Sequence, residues 1–396
     1  MPRLTMETVS KTASFDLQPQ TRLIFGPGTL AKIGELTRSL ARVASRSARV
    51  MVVCDQGIVA AEHFERVRGC LIESGLTVES FHDFSENPTS AMVDRAVVAA
   101  AAFQPDVLIG LGGGSSLDCC KGMNFVYSCG GSIHDYHGVG KATADLLPMI
   151  AIPTTSGTGS ETQSFALISD AQTHVKMACG DPRAACKIAL LDPELTLTMP
   201  RRVTSLTGID AISHAIETYV TRRRNAMSTM YSRRAFALLA GSFRRVLENG
   251  QDIEARGDMQ LGASLAGMAI ETSMLGAAHA TANPLTARHD IVHGQAVGLM
   301  LPAVIRFNGT EYAAWYAELM REIEPNIATP EAPDALAELV LSWMEAAELA
   351  VSLDELSIPS SDIGMFVDDA LQQWTGTFNP IPLDEDSVRM LYREVA

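Results

Sequence analysis

At 396 residues the chain is too long for one ordinary core, so two domains are expected. Its 47% hydrophobic and 19% charged residues, with 30 scattered glycines, exclude a disordered polypeptide and point to a large buried interior. The formal net charge of −15 repels phosphate backbones and anionic lipid surfaces, so neither nucleic acid nor membrane is an expected partner.

Residues 1–11, MPRLTMETVSK, lack the apolar core of a secretory signal. From residue 48 to 195 short β-branched runs alternate with helical patterns, the form of a parallel sheet covered by helices. The predicted strands are ARVMVVCD ending at Asp55, LTVESFHDF ending near Phe84, PDVLIGLGGG from Pro105, LLPMIAIP from Leu146 and CKIALLDPEL from Cys186. Helices are predicted over 63–74 and 91–103. The 7 cysteines, from Cys54 to Cys186, show no CxxC spacing, which suits free thiols in a reducing cytoplasm. Adjacent Cys119 and Cys120 read as packing residues.

After Leu195 strand-like runs almost vanish, and 207–221, 228–248 and 259–273 are helical in pattern. The expected division is therefore an α/β domain over 1–195, Rossmann-like with a parallel sheet, and an all-α domain over 196–396. The run Arg222-Arg223-Arg224 reads as a solvated face or a helix crossing point. The least charged region, 259–287, still carries Glu271, His279 and Pro284 and reads as buried helices rather than a membrane span.

Two glycine turns carry the first chemical signal. In IGLGGGSSLDCCK a hydrophobic strand runs into Gly112, Gly113 and Gly114, and a helix begins around Ser115. Bare backbone N–H groups at a helix start suit a diphosphate, although this is not the GxGxxG fingerprint on a first strand. PTTSGTGSE, residues 153–161, also follows a strand, so one extended ligand across both strand ends is expected. Asp55 ends the first strand of this half; an acidic group there accepts from ribose hydroxyls and repels a 2′-phosphate, favouring NAD over NADP.

The second signal is a ligand set. Asp210 and His214 are four residues apart in TGIDAISHAIETY, so they share one helix face. His279 and His293 sit in a nearly charge-free stretch, where an unpaired imidazole is costly to bury. An unbroken helix would hold those two about 21 Å apart, so it must break between them, and Pro284 is the expected breaker. Three imidazoles and one carboxylate suit iron(II), zinc, manganese or nickel.

FGPGTL at 25–30, ENPT at 86–89, GGGSSLD at 112–118, PTTSGTGSE at 153–161, DPEL at 192–195, GIDAISHAIE at 208–217 and VHG at 292–294 occur in the order of one family. Over residues 20–310 the chain resembles the iron-containing alcohol dehydrogenases, which share the dehydroquinate synthase-like fold. The resemblance implies a metal-dependent oxidoreductase that moves a hydride between NAD(H) and a small alcohol or aldehyde. It implies cofactor contacts at Asp55, Asn87, Gly113, Gly114, Ser115, Asp118, Thr154, Thr155, Ser160, Lys176 and Leu195. Asp210, His214, His279 and His293 fall on the family's ligand positions, with iron implied and zinc its rival. An edge hairpin over 15–25, pairing chains into a homodimer or higher homo-oligomer, is also suggested.

One departure matters. Where the family commonly reads HAxxHPLG, this chain reads HATANPLTARHDIVHG, with Asn283 in place of the second histidine. An amide neither gives nor takes a proton at ordinary pH, so a relay through that position is lost. His289 is the candidate substitute, against a plain loop histidine. Two rival readings stand beside the dehydrogenase: a dehydroquinate-synthase-type lyase, and a nucleotide-binding protein without turnover. The lyase needs a dense set of Lys and Arg near the ligands, and 207–221 has none.

Overall fold

The structure, a computed structural model, describes residues 15, 17–41, 46–173 and 175–396. The stretch 1–11, read for the lack of a secretory signal, lies outside the described residues. Two units are distinguished, one of Gln18–Thr155 with Gly159–Met199, the other built on Pro200–Ala396 together with Ser156–Thr158.

The first unit runs β1 (Arg22–Phe25), α1 (Ile33–Leu40), β2 (Arg49–Val53), α2 (Gln56–Ala60), α3 (His63–Glu73), β3 (Thr77–Phe81), α4 (Ser90–Phe103), β4 (Val107–Gly112), α5 (Gly114–Cys129), β5 (Gly138–Val139), β6 (Met149–Pro153), β7 (Phe165–Ser169), β8 (Lys176–Gly180) and β9 (Ile188–Leu191). Strands β1, β9, β6, β4, β2 and β3 lie side by side in that order, every neighbouring pair parallel. The apolar runs of β4, β6 and β9 are buried at every residue, as a sheet covered on both faces requires. Alternation splits them between two apolar layers. Val50, Val52, Ile109, Leu111, Ile150 and Ile152 enter one, while Met51, Val53, Leu108, Met149 and Ala151 enter the other. Cys119 and Cys120 are fully buried in the second layer, as packing residues.

From β2 the chain adds β3 on one side and then β4, β6 and β9 on the other. The order thus reverses between β2 and β4, whose carboxyl ends carry Asp55 and the first glycine turn; a crevice at such a reversal is where open α/β sheets bind ligands. The described part of 15–25 contributes one edge strand, β1, hydrogen-bonded in parallel to β9. No second strand of the expected hairpin is present among those described residues. A smaller sheet, β5–β8–β7, was not predicted.

The second unit is helical among its described residues: α6 (Arg201–Tyr219), α7 (Ala226–Glu248), α8 (Ile253–Thr272), α9 (Ala277–His289), α10 (His293–Met320), α11 (Ala332–Ala346), α12 (Ile363–Leu371) and α13 (Glu385–Glu394). Helix α6 is buried continuously from Gly208 to Tyr219, the mark of a central helix. Phe236 and Phe243 of α7 pack edge-on to Trp343 of α11, with ring centroids 6.5 Å away. Among the described residues no single helix is long and apolar enough to cross a membrane; α8 and α9, the weakly charged region, are bent by 104°.

Two expectations are corrected here. Pro284 does not break the chain between His279 and His293 but lies inside α9, and the interruption falls at Asp290, whose φ of 54° is left-handed. Proline removes one helical donor without ending this helix, whereas a left-handed residue turns the backbone out of the helical path. The arginine run is also divided. Arg222 and Arg223 are exposed, but Arg224 is buried, its guanidinium 4.3 Å from the Tyr219 ring centroid and 4.5 Å from that of Trp315. Stacking on two rings and a pairing with Glu318 make that burial tolerable.

Candidate metal centre and dinucleotide loops

In the helical unit, one turn of α6 separates Asp210 from His214 and puts both on one face. His279 comes from the first turn of α9 and His293 opens α10, so the break at Asp290 returns the chain to the same point. Oδ1 of Asp210 is the focus: Nε2 of His214, His279 and His293 lie 3.4, 3.6 and 3.7 Å from it. Nε2 of His214 and Nε2 of His279 are 3.1 Å apart. All four sequence-predicted ligands are therefore brought together.

These distances fit a metal better than a hydrogen-bond network. Oδ1 is buried and accepts no hydrogen bond, a state that is costly in a protein interior. Four donors about 2.1 Å from a shared ion in a tetrahedral array stand about 3.4 Å apart, near the spacings seen. Ligand atoms of Asp210, His279 and His293 lie within 4.8 Å of one another. Burial opposes ionisation of Asp210, yet His214, His293 and His279 outweigh it and hold the carboxyl below the usual range. Burial also lowers His214, whereas in His279 it is overcome by Glu217 and Asp210, which raise the imidazole to about 9.

Sequence reasoning did not assign Glu217, a buried residue whose Oε2 meets Nδ1 of His279 and whose Oε1 accepts the N–H of Ala278 at 2.7 Å. The signal was available: Asp210, His214 and Glu217 recur at helical spacing. His289 is not a loop residue but the last of α9, its Nε2 3.2 Å from Asp362 Oδ2 and its ring edge-on to Phe366. Asn283 lies one turn after His279 on α9 and donates from Nδ2 to Gln373 Oε1 at 2.9 Å.

In the α/β unit the first glycine turn joins β4 to α5. Gly112 has φ +138°, and a Cβ there would stand 2.5 Å from Ser116 Oγ, so only glycine fits. Gly113 and Gly114 open α5, leaving backbone N–H groups at a helix start. Asp55 caps α2 by accepting from Ile58 N–H at 3.1 Å and also accepts from Ser116 Oγ at 3.1 Å. Asn87, left-handed at φ 52°, donates its N–H to Ser115 Oγ at 3.1 Å. Thr154 donates its N–H to Gly112 at 3.1 Å, and Thr155 packs where a Cβ on Gly113 would meet it at 3.3 Å. Asp55, Asn87, the first glycine turn and Thr154–Thr155 thus form one cluster at the sheet's reversal point.

Asp118 and Ser160 meet through Ser160 Oγ, which donates at 2.8 Å. Lys121, unassigned from sequence, is buried beside them and donates to Ser160 O, Gln163 O and Phe165 O at 2.6, 2.8 and 2.9 Å. It ties the second glycine turn to α5. Lys176 is exposed at the start of β8, and its charge acts on Asp118. Leu195 is fully buried in the layer of Ile188 and Leu190.

Family models match both parts of the chain. The family model "Iron-containing alcohol dehydrogenase" matches residues 19–193, and that of the Fe-containing alcohol dehydrogenase family, C-terminal, matches 204–396. The chain belongs to the iron-containing alcohol dehydrogenase family. It is 31% identical to alcohol dehydrogenase 4 of Schizosaccharomyces pombe, across 93% of this chain and 86% of that one. It is also 31% identical to NAD-dependent methanol dehydrogenase of Bacillus methanolicus, across 90% and 93% of the two chains. A crystal structure of 1,3-propanediol oxidoreductase matches 97% of this chain and 100% of its own, with a TM-score of 0.91 and 27% identity.

Proposed function

We propose that the chain is a metal-dependent dehydrogenase or reductase that transfers a hydride between NAD(H) and a small alcohol or aldehyde. The observation that carries this reading is the buried Oδ1 of Asp210, which accepts no hydrogen bond, facing three imidazole nitrogens. Asp210, His214, His279 and His293 would hold one divalent ion, with iron favoured by family and zinc its rival. Bound, the ion supplies a Lewis acid that polarises an alcohol or carbonyl oxygen, and the nicotinamide supplies or accepts the hydride.

The chain's own residues bind and orient. The N–H groups at Gly114 and Ser115 suit a pyrophosphate at a helix start. Asp55, beside them through Ser116, favours a ribose with free hydroxyls and hence NAD over NADP; the B. methanolicus relative is named NAD-dependent. Thr154, Thr155, Asp118 and Ser160 shape the second turn, with Lys176 and Leu195 further contacts. The functional division follows 1–195 for the dinucleotide and 196–396 for the metal. A cytoplasmic homodimer, or a higher homo-oligomer, is the expected form.

The proton path does not run through residue 283, because Asn283 and Gln373 are amides paired with each other. His289 is the remaining imidazole candidate for that duty. Anaerobic assay of NADH oxidation with short aldehydes, alongside metal analysis, tests the whole reading. A lyase of the same fold or a silent nucleotide binder gives no net NADH consumption.

A further inference from the structure

We propose that Glu217 is a positioning residue for the metal centre: it fixes the tautomer and ring orientation of His279, so that Nε2 is the nitrogen offered to the ion. This rests on the reading of Asp210, His214, His279 and His293 as the metal set. Glu217 follows Asp210 by seven residues and His214 by three, so the helical period turns all three side chains of α6 to one side. A buried carboxyl group without donors is costly. Glu217 is only 4% exposed, and it has two, Nδ1 of His279 and the backbone N–H of Ala278.

The consequence concerns one proton. With Oε2 against Nδ1, a ring hydrogen stays on Nδ1, so the nitrogen from which a cation would displace a proton is Nε2, the atom 3.1 Å from His214 Nε2 and 3.6 Å from Asp210 Oδ1. A metal-binding histidine held by a carboxyl group at its other nitrogen has its ring plane and basicity set by that partner.

The rest of the α9 start is arranged around the same contact. Asn379 Oδ1 accepts the N–H of Ala277 at 3.3 Å, and Asn379 is itself oriented by reciprocal bonds with Asn308 of 2.9 and 2.8 Å. A Cβ on Gly276 would stand 3.2 Å from both Asn379 Oδ1 and Glu217 Oε1, so the bare glycine leaves room for both acceptors. Glu217, in the last turn of its own helix, faces the N-terminal end of α9, where that helix's dipole favours negative charge. The first turn of α9, which carries His279, is thereby clamped to α6, which carries Asp210 and His214.

The test compares wild type with Glu217→Gln, which keeps the size but cannot accept well from both N–H groups. Ion-stripped proteins are titrated with Zn2+ against a chromophoric chelator, NADH binding is followed by fluorescence, and 15N-histidine spectra report the Nδ1–H of His279. The expected result is a tenfold to hundredfold weaker Zn2+ affinity, NADH affinity within twofold, and a displaced Nδ1–H signal. Where the Gln variant does not fold, Glu217→Asp withdraws the carboxyl group by one methylene and is expected to weaken Zn2+ in the same direction. A folded variant that binds Zn2+ within twofold of wild type overturns the positioning role alone, as does equal loss of Zn2+ and NADH affinity. A wild-type protein that binds no Zn2+ or Fe2+ overturns both this role and the metal reading.

Discussion

The helical unit builds its site from side chains, and the α/β unit builds its own largely from backbone. At the candidate metal centre each of four residues contributes one titratable atom, and Oδ1 of Asp210 accepts no hydrogen bond from the three imidazoles around it. At the glycine turns the useful groups are main-chain N–H, and the side chains chiefly hold loops in shape, as Ser115 and Ser116 do for Asn87 and Asp55. The first kind of site is sensitive to one deleted atom. The second responds to added bulk.

That contrast is open to breaking. The largest effect is expected from His279→Ala or His293→Ala, which remove one of the four candidate ligands: bound metal falls to background and turnover by about a thousandfold or more, a loss of ~4 kcal/mol of barrier stabilisation. Dinucleotide affinity, read by NADH fluorescence, stays within about twofold. Equal loss of both would end the separation between the two kinds of site. The converse variant is Gly112→Ala, where φ +138° and the 2.5 Å approach to Ser116 Oγ forbid a Cβ. Backbone strain of ~1–3 kcal/mol is expected to weaken NADH by about tenfold or more while metal content holds.

Lys121→Met sharpens the contrast from within the α/β unit, since one buried side chain there holds backbone. Loss of its bonds to Ser160, Gln163 and Phe165 leaves Asp118 buried without its nearer, buried cation and with only the exposed Lys176 acting on it. A destabilisation of ~3 kcal/mol is expected in urea unfolding, with weaker NADH binding and unchanged metal stoichiometry.

The smallest expected effect concerns pH. His63 is buried beside Thr198, and burial, helped by Arg66, lowers its imidazole below the ordinary value. A lowered folded value means that the stability it contributes is present above about 6.5, the unfolded value, and is lost as pH falls through the folded one. Thermal unfolding of His63→Gln is therefore expected to depend less on pH between about 5 and 7 than that of wild type. A steeper dependence would contradict the assignment.

Legibility in the sequence followed the same divide. Whereas the edge strand β3 mixes apolar with polar residues, the central strands β2, β4, β6 and β9 announce themselves through apolar runs, and β4, β6 and β9 are buried throughout. The small sheet does not, because β7 and β8 mix exposed with buried residues and β5 has only two. Asp210, His214, His279 and His293 were readable because ligand types in an apolar stretch need a reason to be there. The place of the helix break was not. Proline marks a missing donor, but whether a helix ends depends on the next residues, and Asp290 carries the turn. Lys121 and Glu217 were overlooked because a charged residue on a helix normally faces water, and only the packed structure reveals what it touches.

The most direct test of the metal-and-hydride account is metal analysis of purified protein coupled to NADH oxidation with a panel of short aldehydes, before and after chelation. One divalent ion per chain is expected, with turnover that disappears with the ion and recovers when Fe2+ or Zn2+ is returned. Full turnover by metal-free wild-type protein would contradict it.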